Sequence, residues 1–258
     1  MTNIQNFKLP TSWRGRDGKK DYEDVIGGKY DKKPETPIPV QTNKFDTNDF
    51  IYVPSINLYV AKEKTNLSHN WENCWIRLQR HDYQMLKINE FREFLKYLKS
   101  NPTNEEYKNI FKEITGVKNP LRSEWLDASF KNENKEIYKK IELYILTENE
   151  SKKEKLEECL MLNKSVTELY YSINKENLRR SFISLNDWIN GKNVTSQGLP
   201  NKNISSGGLN YWCPKENNNS VARFIAHGGG TDLDCGYEKL ECASEVRPCK
   251  ARLAGGIK

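Results

Sequence analysis

The chain has 258 residues, a formal net charge of +6 and only 36% hydrophobic residues, with a mean hydropathy of −0.85. That length supports one large or two small domains with a sizeable core, but so polar a composition means that part of the chain adds little to it. The modest basicity reads as solvated lysine-rich faces rather than a nucleic-acid footprint, and no apolar run reaches the length of a membrane span.

The opening residues, MTNIQNFKLPTSWRGRDGKK, lack the apolar stretch of a secretory signal. Export by that route is not expected, which leaves a virion, a cell surface and the cytoplasm open as locations. Residues 1–49 are rich in Lys, Asp, Thr and Pro without a sustained period, and are expected to form a polar extended arm, partly ordered or wrapping the body. Trp13, Arg14 and Arg16 in that arm are placed to dock on the body or to touch a partner.

Residues 50–258 are expected to form one domain. Two β-rich runs, Ile51–Val53 and Leu58–Ala61, flank Pro54–Asn57 and predict a hairpin. A helix is predicted over Leu67–Asp82, with Ser68 as its cap and Trp71, Cys74, Trp75 and Leu78 on one face. A second follows Asn89, with Phe91, Phe94, Leu95 and Leu98 at helical spacing. A third starts at Thr103, whose T-x-x-E pattern with Glu106 is a capping box; Tyr107, Ile110, Phe111 and Ile114 form its stripe and Gly116 stops it. Glu124–Phe130 reads as a strand, and Ile137–Leu146 is open between strand and helix. The charged stretch 148–176 carries little pattern. Ser184–Asn190 predicts a short helix, 191–206 a long polar loop, and the remainder several short strands. The order is an α+β pattern in which the late strands join the early hairpin to complete one sheet.

The tail, GLNYWCPKENNNSVARFIAHGGGTDLDCGYEKLECASEVRPC, carries the most information. Phe224, Ala226, Leu233, Cys235, Ala243 and Val246 suit a buried sheet, whereas His227, the three glycines, Thr231, Asp232, Asp234 and Tyr237 follow no period. Such a segment reads as a rigid frame holding side chains chosen for contact. Cys235, Cys242 and Cys249 recur every seven residues. Without close C-x2-4-C pairs this spacing favours buried thiols over a bridge, and a bridge over zinc. AHGGGT imitates an esterase oxyanion motif, but no G-x-S-x-G elbow occurs, and no Lys-Ser/Thr follows the glycines to cradle a phosphate. The residues therefore point to binding without chemistry, and no cofactor is expected.

Several pieces occur together in a recognisable order: YVPSINLYVAKEKTNLSHNWENC, EFREFLKYLK, SEWLDASF, then NNSVARFIAHGGGTDLDC and ASEVRPC. Over residues 50–249 the chain resembles the archaeal variable proteins of diversity-generating retroelements. That resemblance implies a C-type-lectin-like fold: a small antiparallel sheet closed by the first and last strands, flanked by helices, with long irregular segments. It also implies a variable region at about 220–249 in which adenine-rich codons such as AAC are rewritten. His227, Gly229, Gly230, Thr231, Asp232, Asp234, Gly236 and Tyr237 belong to the set AAC can yield, whereas Glu238, Lys239 and Glu241 do not. Ile225 stands where an aromatic is common and is frame or contact. Glu245 replaces the usual glycine before the closing Val-Arg.

The implied function is ligand binding through a diversified face, the partner being a protein or a glycan, as on a cell surface. The E-P-N, Q-P-D and W-N-D patterns of calcium-dependent lectins do not occur. Two alternatives remain: a relative of the formylglycine-generating oxidases using Cys235 and Cys242, and a nucleic-acid module using the basic arm with Trp13 and Tyr30. Arg223 and Arg247 are expected to pair with scaffold carboxylates. If the display reading holds, replacing His227, Asp232 and Tyr237 together is expected to leave the melting temperature nearly unchanged.

Overall fold

In the computed structural model, a hairpin leads the fold. β1 (Phe50–Val53) and β2 (Leu58–Ala61) pair antiparallel, Phe50 opposite Ala61 and Val53 opposite Leu58. Asn57 turns the chain at φ +54, a left-handed conformation that Asn tolerates, and its Oδ1 accepts the Tyr52 hydroxyl at 3.0 Å. The structure describes residues 47–80, 82–116, 122–135, 140–147, 152–157, 159–160, 180–202, 207–214, 220–228, 230–238 and 244–251. The predicted arm thus lies outside the described residues except for a 3-10 turn at Thr47–Asp49.

The helix predicted from Leu67 starts later. Thr65–His69 is a strand, β3, and the helix α1 is Trp71–Arg80. Asn70, not Ser68, caps it: its Oδ1 accepts the Asn73 N–H at 3.0 Å. The buried stripe of α1 (Trp71, Cys74, Leu78) begins at its first residue, so Leu67 was never part of the helical period. After β4 (Gln84–Met85) come α2 (Ile88–Lys99) and α3 (Glu105–Thr115). Glu90 Oε2 accepts the Lys87 N–H at 2.8 Å at the start of α2. Asn104 caps α3 by accepting from Tyr107 N at 3.2 Å, one residue after the Thr103 that the sequence suggested. The predicted stripes are inward: Phe91, Phe94, Leu95, Leu98, Ile110 and Ile114 are buried.

β5 (Arg122–Lys135) contains the predicted 124–130 strand, and the ambiguous segment is β6 (Lys140–Thr147), antiparallel to β5. β7 (Lys152–Lys155) pairs with β6, and residues 161–179 lie outside the described residues. β8 (Arg180–Ile183) leads into α4 (Leu185–Ile189), whose cap Ser184 accepts from Asp187 N at 3.1 Å. The loop that follows is not simply polar. Leu199 is fully buried, Val194 and Pro200 form a bridge, and Trp188 Nε1 donates to Gly198 O at 2.9 Å. The tail supplies β9 (Leu209–Trp212), β10 (Ser220–His227), β11 (Gly230–Glu238), β12 (Ser244–Val246) and β13 (Pro248–Ala251).

The architecture is mixed α+β with two sheets, not the single sheet expected from the order of elements. The smaller runs β1-β2-β13-β4; the larger runs β3-β12-β5-β10-β11-β9-β8, with β6 and β7 continuing from β5. The last strand meets the early hairpin but not the first strand: Cys249 lies opposite Val60 of β2 and Gln84 of β4. The tight turn commits one edge of β2 to β1, so only its other edge was open to β13. Within the larger sheet β9 runs parallel to β11, and β12 parallel to β5.

Two apolar clusters fill the interior. In one, the Phe224 ring lies 5.2 Å from that of Phe91 and 6.0 Å from that of Trp188, joining β10 to α2 and α4. In the other, Trp71, Trp125, Val221 and Val246 pack together, and Trp71 Nε1 donates to Leu126 O at 2.7 Å. Arg247, between β12 and β13, ties the sheets. It donates to both carboxylate oxygens of Glu124 at 3.1 and 2.9 Å, to Ala61 O at 3.1 Å and to Lys62 O, and its guanidinium lies 5.9 Å from the Phe94 ring. Cys74, Cys213, Cys235 and Cys249 are buried free thiols, while Cys242 lies outside the described residues.

Candidate functional site

The candidate residues sit on the β10–β11 hairpin, whose register runs from Ser220 opposite Glu238 to His227 opposite Gly230, with an irregularity between Val221 and Arg223. Strand alternation divides its side chains. Phe224, Leu233 and Cys235, with Leu209 and Tyr211 of the neighbouring β9, belong to the main core. Arg223, Ile225 and His227 of β10, Asp232 and Asp234 of β11, and Asn210 and Trp212 of β9 take the alternate positions, on the opposite face.

On that face Asp232 is the hub. Its Oδ1 accepts Asn210 Nδ2 at 2.5 Å, and its Oδ2 accepts Trp212 Nε1 at 3.2 Å and lies 3.1 Å from His227 Nε2. Two neighbouring strands therefore serve one carboxylate, β9 through Asn210 and Trp212 and β10 through His227. Next along the face, Arg223 Nε and Nη2 donate to Asp234 Oδ2 at 3.3 and 3.2 Å, and Asp234 Oδ1 accepts the Gly236 N–H at 3.0 Å. Burial pushes the Asp234 carboxyl above its usual value; Arg223 and the Gly236 N–H oppose that only in part. The Arg223 guanidinium also lies 5.9 Å from the Trp125 ring centroid.

Exposure across the nine sequence-predicted positions is uneven. Ile225, Thr231 and Asp232 are buried, at 5%, 3% and 7% exposure. Thr231 Oγ1 is committed to Gly208 O at 2.7 Å. The His227 side chain is 35% exposed, and those of Asp232 and Asp234 10% and 15%. Gly230 adopts φ +131, where an L side chain is strained, and a Cβ there would also meet Asn210 Nδ2 at 3.4 Å. Gly236 is partly exposed, Tyr237 stands opposite Val221 in the ladder, and Gly229 lies outside the described residues. The hairpin thus brings His227 to Asp232 and supports Asp234 with Arg223, the scaffold pairing expected for that arginine.

Neither Asn210 nor Trp212 is among the sequence-predicted positions, and Trp212 is partly exposed. The signal was the alternation in LNYW, which puts Leu209 and Tyr211 on one face and Asn210 and Trp212 on the other. What no local pattern revealed is that β9 lies beside β11, with Asn210 opposite Asp232.

The polar groups of this face are largely committed to one another. The Asp232 carboxylate already serves three donors, and the Thr231 hydroxyl is spent on a carbonyl. Burial holds the Cys235 and Cys249 thiols well above their usual value, and that of Cys159 at about 11, so the reactive thiolate form is disfavoured. Among the described residues, no three His, Cys, Asp or Glu side chains gather into a set able to hold a metal ion. Comparison with protein-family models, with curated proteins and with solved structures returned no match.

Proposed function

We propose that this chain is a ligand-binding display protein with a C-type-lectin-like scaffold, whose segment at about 220–249 is diversified by a retroelement to change specificity. It binds a protein or glycan ligand, such as one on a cell surface, and performs no catalysis. The observation that carries this reading is the division of the β10–β11 hairpin. One face is core; the other holds His227, Asp232, Asp234 and Arg223 in mutual hydrogen bonds, with β9 in support. A face whose side chains are already oriented loses little freedom on binding, which favours affinity. The return of β13 to the early hairpin supports a scaffold of this kind, although it pairs with β2 and not with the first strand.

The test is a panel of immobilised glycans and cell-surface proteins probed with the intact chain and with His227→Ala. Binding of at least one member, weakened about tenfold or more by the substitution while the unfolding midpoint holds, is the expected result. Equal binding by both proteins overturns it. Binding that collapses steeply with added salt would instead favour the basic-arm alternative. Diversification has its own check in the neighbouring DNA: a reverse-transcriptase gene and a near-copy of the codons for 220–249 differing at adenines.

A further inference from the structure

Resting on that binding reading, the geometry points to a divided site: Asp232 is a positioning residue, and the positions a ligand meets are His227, Gly228 and Trp212. Neither Gly228 nor Trp212 is among the nine candidate positions, and Trp212 lies outside the 220–249 segment altogether.

The division follows from what each group has left to offer. Asp232 is 7% exposed and accepts from Asn210 and Trp212 while holding His227, so a ligand could reach it only by breaking contacts already made. Its work is to orient. The Trp212 N–H is spent on Asp232, so a ligand touching that side chain meets ring carbon, a rigid apolar surface beside the imidazole. His227, with a side chain 35% exposed, is held through Nε2. Gly228 follows it at the exposed tip, and a Cβ built there meets nothing within 4 Å. A Cβ at 228 therefore enters open space. Gly230 is the opposite case, because its positive φ penalises any L side chain. Specificity is thus expected to be set by changes at 227 and 228 beside a fixed indole, while 230, 231 and 232 carry the hairpin.

Two experiments decide this. In the first, two display libraries of the full chain are made, one randomised at Trp212, His227 and Gly228, the other at Gly230, Thr231 and Asp232. Each is sorted for resistance to thermolysin and then for binding to biotinylated ubiquitin as a model target. The first library is expected to retain about tenfold more resistant members than the second, and to yield binders enriched over the starting chain. Equal numbers of resistant members, or resistant members without binders, overturn the division. Because ubiquitin stands in for the natural ligand, that failure leaves the panel experiment with His227→Ala to judge the parent reading separately.

The second experiment reads positioning directly. The chain has three histidines, so nitrogen-resolved NMR can follow His227. A carboxylate acceptor on Nε2 fixes the proton of the neutral ring on that nitrogen. Asp232→Ala removes that acceptor and is expected to lower the share of the Nε2–H tautomer. A neutral ring already in the Nδ1–H form in the unsubstituted protein overturns the assignment, as does a tautomer ratio unchanged in a cooperatively folded Asp232→Ala.

Discussion

A carboxylate with three partners stabilises more than it displays, and Asp232 shows why residue type alone misleads. It entered the candidate set because its codon class and its lack of period marked it as a contact. In the fold it faces Asn210 across a parallel ladder and gathers partners from β9 and β10. Removing it leaves the amide of Asn210 and the indole N–H of Trp212 without that acceptor in a largely covered place. Asp232→Ala is therefore expected to cost about 1–3 kcal/mol, the range for stranding buried polar groups. His227→Ala removes one donor from a carboxylate that keeps two, and its ring is partly solvated; a cost under about 1 kcal/mol is expected. Urea unfolding of the two single variants separates these cases. The joint replacement of His227, Asp232 and Tyr237, neutral on the sequence reading, should then destabilise through Asp232. An Asp232→Ala that unfolds like the parent would restore the display reading of that position.

Elements were legible where their period was long and blurred where it stopped. The stripes of α2 and α3 could be read because apolar residues three and four apart share a face, and that face is buried here. The starts of α1 and α3 were read one to a few residues early because Ser, Thr and Asn all satisfy the same capping requirement, whereas α2, expected to follow Asn89, begins at Ile88. At α3, Thr103 and Asn104 compete, and only geometry decides that Asn104 accepts from Tyr107 N at 3.2 Å. Asn104→Ala is expected to lower stability by about 1 kcal/mol, and Thr103→Ala by no more than about 0.5 kcal/mol. Denaturant midpoints at equal slope measure both; the reverse order would return the cap to Thr103. Upstream, the Leu67–His69 part of β3 was absorbed into a predicted helix because its strand character depends on pairing with β12, about 180 residues later, which no window on the sequence contains.

At the scale of the molecule the closing segment joins what the sequence left apart. β12 belongs to the larger sheet and β13 to the smaller, and the single residue between them, Arg247, holds Glu124 of β5 and the carbonyls of Ala61 and Lys62. This arginine was expected to serve the scaffold; its bridging of two sheets was not legible, because the second sheet was not. The side chains of Arg247 and Glu124 are 1% and 6% exposed, so removing either strands a buried charge at a cost of about 3–5 kcal/mol. That is a large share of the roughly 5–15 kcal/mol that holds a typical domain. A chain ended after Val246 loses that pair, the buried Cys249, and the strand that fills the gap between β2 and β4. It is expected to lack a cooperative urea transition and fixed near-ultraviolet dichroism. Arg247→Met, which keeps β13 but strands Glu124, is expected to unfold cooperatively at lower urea. If the shortened chain instead unfolds cooperatively with the parent's slope, the smaller sheet does not need its last strand, and the face on β9, β10 and β11 stands on the larger sheet alone.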